Sequence, residues 1–465
     1  MAVTVGVSKA VRESIERVAR DIFDNKNITY DRELMMATAS QLLDAVKEGY
    51  GMDITDVEYN SPDWETLGKI TENVYSFSAA KNYHELRDMT DALRDGDRIR
   101  SFEEFRQAVE DIDAKYNGNW LRTEYNQAIA ASQCGARWNE FKRNAKAMPM
   151  LQYQAVMDSN TREDHAKLNG VRKRVDDPFW DIYMPPNGWG CRCEVIQLPS
   201  SAAKETPSEK IIPPAVPKMF QINFGKRGIV FPQGHAYFKR LPKEYEYKLK
   251  ESSRAEVRRI LDNAEEYQRL KNDKNYTDVE FDWGTGGLKA THIRHEVHTA
   301  EKEGTFFKEL TKDRKGLTST QLEQSCQNIL FSLGDSAVLC EEGVKNANGG
   351  VDTSLDLLLN RKRMDIRSVT IQTESYRNQL VKKNSQIGKF NSLPYVTEKA
   401  DSICLYFHDP TMYDPEKVKE GIKKLKEIKY ENEETGELKH ITIHIKYVYC
   451  VINEGKGRKE VFDVE

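Results

Sequence analysis

The chain has 465 residues, of which 38% are hydrophobic and 31% charged, with a net charge of −4 at neutral pH. That length exceeds a single compact core and points to about two to four domains. No stretch approaches the ~20 apolar residues needed to cross a bilayer, no apolar leader core stands at the amino terminus, and the balanced charge selects no nucleic-acid partner. Seven scattered cysteines, an odd number, argue for reduced thiols rather than a disulfide framework.

Apolar residues recur at helical spacing at Val11, Ile15, Val18 and Ile22, then at Leu34, Ala37, Leu42 and Val46, predicting two amphipathic helices with a turn near Asn25-Lys26-Asn27. They pack on the helices that follow or form a docking arm. Asn60-Ser61-Pro62-Asp63 caps the next helix. Residues 63–148 read as three or four helices broken at Asp95-Gly96 and Asn117-Gly118, with Trp120, Tyr125, Trp138 and Phe141 as core and Arg122 with Glu124 as a candidate polar pair.

After Pro149 the period changes, and Leu151, Tyr153, Ala155 and Met157 alternate as in a strand. His165 follows on a short helix begun at Asp158 or Thr161. Pro185-Pro186 must be extended, and Asn187-Gly188 supplies positive-φ turn residues. In an extended segment, Cys191 and Cys193 leave on one face and Arg192 on the other. A small α+β unit then brings Asp158, His165, Cys191 and Cys193 together. These four suit Zn2+. Alternatively the cysteines are small buried residues and His165 is bonded to an acid, since Cys-x-Cys is shorter than the Cys-x-x-Cys knuckle.

Several of these features occur together and in order. They are Phe77-Ser78-Ala79-Ala80-Lys81, Trp120-Leu121-Arg122-Thr123-Glu124-Tyr125-Asn126, Asp158 with Arg162-x-x-His165 and Gly170, Asp177-Pro178-Phe179-Trp180, Pro185-Pro186-Asn187-Gly188-Trp189, and Cys191-Arg192-Cys193. Over residues 65–198 the chain resembles the phage Mu protein F-like family of minor head, or head morphogenesis, proteins. The resemblance implies a capsid component present in few copies near the portal, with the portal and other head proteins as partners. The expected location is the virion or the bacterial host cytoplasm.

Residues 199–217 are rich in Pro, Ser, Ala and Lys and read as a linker or surface-running arm. Residues 218–240 are Gly- and aromatic-rich without a phosphate-loop pattern, and 243–272 form a charged helical spacer. A further domain is expected from Phe281-Asp282-Trp283-Gly284-Thr285-Gly286-Gly287. Its first helix would carry His295, Glu296 and Ala300, with His292, His295 and His298 on that helix as surface or satisfied residues. Leu322, Cys326, Ile329, Leu330 and Leu333 mark a second helix stopping at Gly334, and Ala337-Val338-Leu339-Cys340 a buried strand.

Alternation on both sides of Asn360-Arg361-Lys362-Arg363 predicts a hairpin pairing Leu359 with Met364, Leu358 with Asp365 and Asp356 with Arg367. Asp356, Leu358, Asp365 and Arg367 then share a face. This arrangement resembles the PD-(D/E)XK nuclease superfamily, including the carboxyl-terminal nucleases of contact-dependent inhibition toxins. There one acid precedes the turn and an acid-x-lysine triplet follows it. The resemblance implies Asp356, Asp365, Arg367 and, on the preceding helix, Glu296 as catalytic residues. Asp356 and Asp365 would hold Mg2+ for phosphodiester hydrolysis. Arg367 stands where lysine is usual and cannot readily surrender a proton, so Asp356 with Arg367 also reads as a plain cross-strand ion pair. A strand at 402–407, a Lys-rich helix opened by Asp414-Pro415-Glu416 and a last strand from His440 to Ile452 complete the module, and the Lys-rich helix is a candidate contact for nucleic-acid phosphate.

The expected architecture is multidomain. A helical arm occupies 1–60, a mainly α head domain with the α+β Cys-x-Cys unit 61–198, a linker and helical spacer 199–280, and an α/β module with a sheet flanked by helices 281–465. Three functions fit: a head protein carrying a nuclease-like cargo, a purely structural head protein whose last domain binds nucleic acid or a partner, and a toxin for which the head-like region is a delivery module.

Overall fold

The computed structural model describes residues 8–24, 28–202, 204–295, 317–343, 350–371, 373, 375–431 and 438–464. The chain divides into two compact units, Met1–Leu261 and Asp262–Glu465.

The first unit is mainly helical. Helices α1 (Lys9–Phe23), α2 (Arg32–Tyr50) and α3 (Pro62–Asp91) begin at Ser8, Asp31 and Ser61, each accepting a backbone N–H of its first turn. Val11, Ile15, Val18, Ile22 and Leu34 enter one buried cluster with Leu86, Met89, Phe105 and Val109. The first two helices therefore pack on their successors, while the turn expected at Asn25-Lys26-Asn27 lies outside the described residues. A two-strand turn, β1 (Arg94–Asp95) and β2 (Arg98–Ile99), breaks the helices at Asp95-Gly96, and a capping box at Ser101 and Glu104 restarts them as α4 (Phe102–Asp113).

The second expected break is absent. Residues Ala114–Trp120 form a π-helical turn that runs straight into α5 (Leu121–Asn144). Partners on other segments hold this wider turn. The Lys81 ammonium donates to the Tyr116 carbonyl at 2.9 Å, and the Asn117 amide donates to Glu85 at 2.6 Å and Asp113 at 2.8 Å. Glu124 is buried as a partner of Lys81, not of Arg122, which is exposed. Tyr125, Trp138 and Phe141 are core, but Trp120 is 38% exposed, its ring lying under the Lys115 ammonium.

The aromatic-rich segment 218–240 packs inside this unit. The Asn73 side chain donates to the Phe231 carbonyl and accepts the N–H groups of Val230 and Phe231, and Phe231 stacks on Phe77 at 3.7 Å. Gly225, in the short α8 (Phe224–Arg227), permits close approach to α5. A Cβ there would come within 2.6 Å of the Trp138 Cβ and 2.7 Å of the Cys134 carbonyl oxygen. Two further helices follow, α9 (Ala236–Lys239) and α10 (Lys243–Lys271), the second running across the boundary between the units.

The second unit is built on a mixed eight-stranded sheet among the described residues, in the order β15 (Arg458–Asp463), β14 (Tyr447–Ile452), β11 (Ser402–Phe407), β10 (Lys362–Ser368), β9 (Leu357–Leu359), β8 (Ser336–Leu339), β7 (Gly287–His292) and β6 (Tyr276–Asp282). It opens with a hairpin of β6 (Tyr276–Asp282) and β7 (Gly287–His292), so Trp283-Gly284-Thr285-Gly286 is a strand turn inside the unit. His292 ends β7 and His295 follows in a turn, not on a helix; Glu296, His298 and Ala300 lie outside the described residues. Helix α11 (Ser319–Ser332) and strand β8 (Ser336–Leu339) follow as expected, with Gly334 at φ 86° between them.

The hairpin of β9 (Leu357–Leu359) and β10 (Lys362–Ser368) turns at Asn360-Arg361, both at positive φ. Leu359 pairs with Lys362 and Leu358 with Arg363, a register two residues from the expected one. The Asn360 amide decides it by bonding the Ser336 N–H and the Asp335 carboxylate at the start of β8. A two-residue slip leaves the faces unchanged. Leu357, Leu359, Met364 and Ile366 share one cluster with α11, while Asp356, Leu358 and Asp365 lie on the opposite side.

Helix α12 (Arg377–Asn391), strand β11 (Ser402–Phe407) and helix α13 (Pro415–Lys426), capped by Asp414, come next. A small pair, β12 (Lys429–Glu431) and β13 (Leu438–His440), precedes the final β14 (Tyr447–Ile452) and β15 (Arg458–Asp463). The expected last strand from His440 is thus split. The Asn384 side chain takes the Thr442 carbonyl and the His444 and Ile445 N–H groups, which a neighbouring strand would otherwise pair.

One buried acid makes the first unit sensitive to pH. Burial raises Glu85 from an ordinary value of 4.5 to about 8. The folded chain therefore holds this proton over a range where the unfolded chain has released it, so the Glu85 contribution to stability falls as pH rises from about 4.5 through 8. Denaturant titrations across that range should show the decline in the native chain, and Glu85→Gln should flatten it.

Candidate metal centre and carboxylate cluster

A three-stranded antiparallel sheet frames the proline corner, with β3 (Met150–Gln154) between β4 (Arg172–Arg174) and β5 (Glu194–Leu198). Between β3 and β4 the chain forms α6 (Glu163–Ala166), which carries a buried His165, and returns to β3 where the Gly170 N–H bonds the Tyr153 carbonyl. After β4, helix α7 (Phe179–Tyr183) seats Trp180 fully buried, its indole N–H donating to the Arg174 carbonyl at 2.9 Å.

Pro185-Pro186, joined by a cis bond, leads to a fully buried Asn187 that accepts the Tyr153 hydroxyl at 2.9 Å. The positive-φ residue of this turn is Gly190, at 67°, rather than Asn187 or Gly188. The Asn187 side chain is held by Tyr153 and the Met184 carbonyl, while Gly188 lies against the Arg162 guanidinium, which donates to the Trp189 carbonyl. The corner delivers both sulfurs to one imidazole: His165 Nδ1 is 3.6 Å from Cys191 Sγ and 3.5 Å from Cys193 Sγ.

Asp158 does not join them. The Arg192 guanidinium holds both its oxygens, at 2.6 and 2.7 Å, and keeps its carboxyl well below the usual range. Among the described residues, His165, Cys191 and Cys193 are the group of ligand-type side chains close enough to share a metal ion. The hydrogen bond with Cys193 lowers the Cys191 thiol to about 6, and the same bond together with burial raises Cys193 to about 12.

In the second unit, Asp356 and Asp365 lie on one face of the β9–β10 hairpin. Asp356 accepts the Ile366 N–H at 3.2 Å, and Asp365 is 1% exposed. Two side chains of α12 close over Asp365: the Gln386 amide donates to it at 2.7 Å, and the Lys383 ammonium forms an ion pair with its other oxygen. Burial lowers the Lys383 pKa, opposed by the nearby charges of Asp356, Glu323 and Glu342. Glu323 on α11 and Glu342 after β8 both stand 3.7 Å from the Nε2 of a fully buried His295.

Arg367 is exposed at the rim, one position beyond Asp365 on that face, and the shifted register puts Asp365 rather than Arg367 across from Asp356. Glu296 lies outside the described residues. Sequence reasoning missed Lys383, Gln386, Glu323 and Glu342. Lys383 sits in a Lys-Lys pair on an ordinary helix, and only packing of α12 on the sheet face distinguishes it from its neighbours.

Residues 86–196 match the family model described as Phage Mu protein F like protein. The span runs from within α3 into β5 and contains the whole Cys-x-Cys corner with His165. Two curated relatives support it. The chain is 40% identical over 85 residues, 18% of its length and 19% of the relative's, to the "Putative capsid assembly protein F" of Escherichia phage Mu. It is 44% identical over 84 residues, 18% of its length and 20% of the relative's, to the "Mu-like prophage FluMu F protein" of Haemophilus influenzae. The chain therefore matches about a fifth of the length of these relatives. No solved structure matches it.

The Mu F-like segment accounts for the corner but not for the carboxylate cluster, which lies wholly in the second unit. There the buried charges of Asp365 and Lys383 depend on each other. Lys383→Met is expected to cost roughly 3–5 kcal/mol by leaving a carboxylate buried without its cation. Lys383→Met combined with Asp365→Asn should recover most of that loss, as measured by chemical denaturation.

Proposed function

We propose that this chain is a phage head component of the Mu F type, built into the particle near the portal through its first unit, with a second unit that hydrolyses phosphodiesters. The head assignment rests on the Mu F-like match over residues 86–196, whose span includes the corner just described and all but the end of its sheet. No helix among the described residues is long and apolar enough to cross a membrane.

The hydrolytic reading rests on one observation: Asp356, Asp365 and Lys383 meet on one sheet face. The acid-x-lysine pattern lacks its lysine in Asp365-Ile366-Arg367. Lys383 reaches the same carboxylate from α12, and burial lowers the pKa of its amine, a shift that arginine resists. The oxygen donors of Asp356 and Asp365 are of the kind Mg2+ prefers, and these two residues would hold it; the ion would supply charge neutralisation at a phosphate and a more acidic bound water. Lys383 holds Asp365 in place and sets the local charge, and Gln386 orients the same carboxylate.

Gln386 also donates to the Ser354 carbonyl, tying the carboxylates to a cleft of 580 Å³ that Ser354 lines together with Arg361, Lys362, Arg363 and Lys399. Glu341, Asp352, Glu398 and Asp401 line it as well. The run Arg361-Lys362-Arg363 at the hairpin turn is the part of this lining suited to a phosphate.

Incubating the full chain with tRNA, single-stranded RNA and plasmid DNA in Mg2+ should give cleavage of at least one. Asp365→Ala or EDTA should abolish it. Intact substrates in all three reactions would leave the second unit as a binding domain on a structural head protein. Independently, the chain should co-sediment with purified heads in low copy, and its confinement to the soluble fraction of a lysate producing heads would end the capsid assignment.

A further inference from the structure

We infer that the Cys-x-Cys corner is a zinc site, with His165, Cys191 and Cys193 as its protein ligands and solvent as the fourth. The distances carry the argument. A tetrahedral ion with Zn–S near 2.3 Å and Zn–N near 2.0–2.1 Å fixes the nitrogen-to-sulfur edge at about 3.6 Å. Both His165–cysteine separations meet it, at 3.6 and 3.5 Å.

Hydrogen bonding alone does not explain two equal separations. Nδ1 has one in-plane position, holding either a hydrogen or a lone pair, and serves one sulfur well. An ion placed among the three atoms satisfies all of them. Two thiolates and a neutral imidazole also cancel the charge of Zn2+, which suits a corner where His165 is buried.

The backbone prepares this geometry without the ion. The Cys191 N–H bonds the Gly188 carbonyl, β5 pairs along β3 from Glu194 onward, and His165 is held on α6 by its N–H to the Arg162 carbonyl. Asp158 is not the fourth ligand: the ligand atoms gathered within 4.8 Å of one another are those of His165, Cys191 and Cys193, and Asp158 lies against Arg192. A small cavity of 110 Å³, lined by Cys191 and Cys193 together with Arg137 and Glu194, has room for a coordinated water. Bound there, zinc clamps α6 to the start of β5 and so closes the corner that Pro185-Pro186 begins. Binding releases the protons of the thiols as they become thiolates, with no change of oxidation state.

The test is elemental analysis of full-length protein purified under reducing conditions and desalted. One zinc per chain is expected, lost in Cys193→Ser and His165→Ala and kept in Cys340→Ala, whose thiol lies in the second unit. As a check that does not depend on the variants folding, Co2+ added to chelator-treated native chain should give a thiolate-to-cobalt charge-transfer band and the strong visible bands of a tetrahedral site. Native protein with no more zinc than the variants, and no such cobalt spectrum, overturns the inference. A Cys191–Cys193 disulfide in the freshly reduced chain overturns it equally.

Discussion

The first unit depends on a buried ion pair. Lys81 on α3 and Glu124 on α5 meet at 2.6 Å, with side chains 1% and 4% exposed. Desolvating two such charges costs several kcal/mol each. The cost is offset only because the ammonium also finds the Tyr116 carbonyl, and because Glu85 nearby is held neutral by the same burial. Lys81 thereby fixes the spacing of α3, α5 and the π-helical turn between α4 and α5. It also links two of the sequence motifs, the second of which lies inside the Mu F-like match. Phe77-Ser78-Ala79-Ala80-Lys81 supplies the cation and the aromatic ring on which Phe231 stacks, and Trp120-Leu121-Arg122-Thr123-Glu124-Tyr125-Asn126 supplies the anion.

The two candidate sites differ in chemistry as they do in location. The corner offers soft donors on an extended loop pinned to a sheet, a combination suited to holding shape. The second unit offers hard carboxylates and a buried amine on a hairpin and helix, beside a cleft lined by both acids and cations. Each is built entirely within its own unit, and the two share no residues.

Local readings failed where a side chain from a distant segment took over a backbone group. The helix break expected at Asn117-Gly118 is absent because Lys81 and Glu85 hold that turn. The hairpin register shifted by two residues because Asn360 is tied to the start of β8. The last strand split because Asn384 satisfies residues 442–445. In each case propensity was overruled by a hydrogen bond formed across a long sequence separation. Asp158 was lost as a ligand for a related reason: its neighbour in space is Arg192, the residue between the two cysteines, whose side chain leaves on the opposite face from theirs.

What the sequence by itself determined were periodicities and caps: the helices at 9–23, 32–50 and 62–91, the β-hairpin faces carrying Asp356 and Asp365, and the i, i+2 spacing that sends both sulfurs one way. These follow from backbone geometry, which acts over a few residues. What only the tertiary structure decided were the partners: Lys81 for Glu124, Lys383 and Gln386 for Asp365, Arg192 for Asp158, and one imidazole for two thiols. Such pairings depend on which surfaces burial brings together, and a buried charge or polar atom accepts whichever partner the packing supplies.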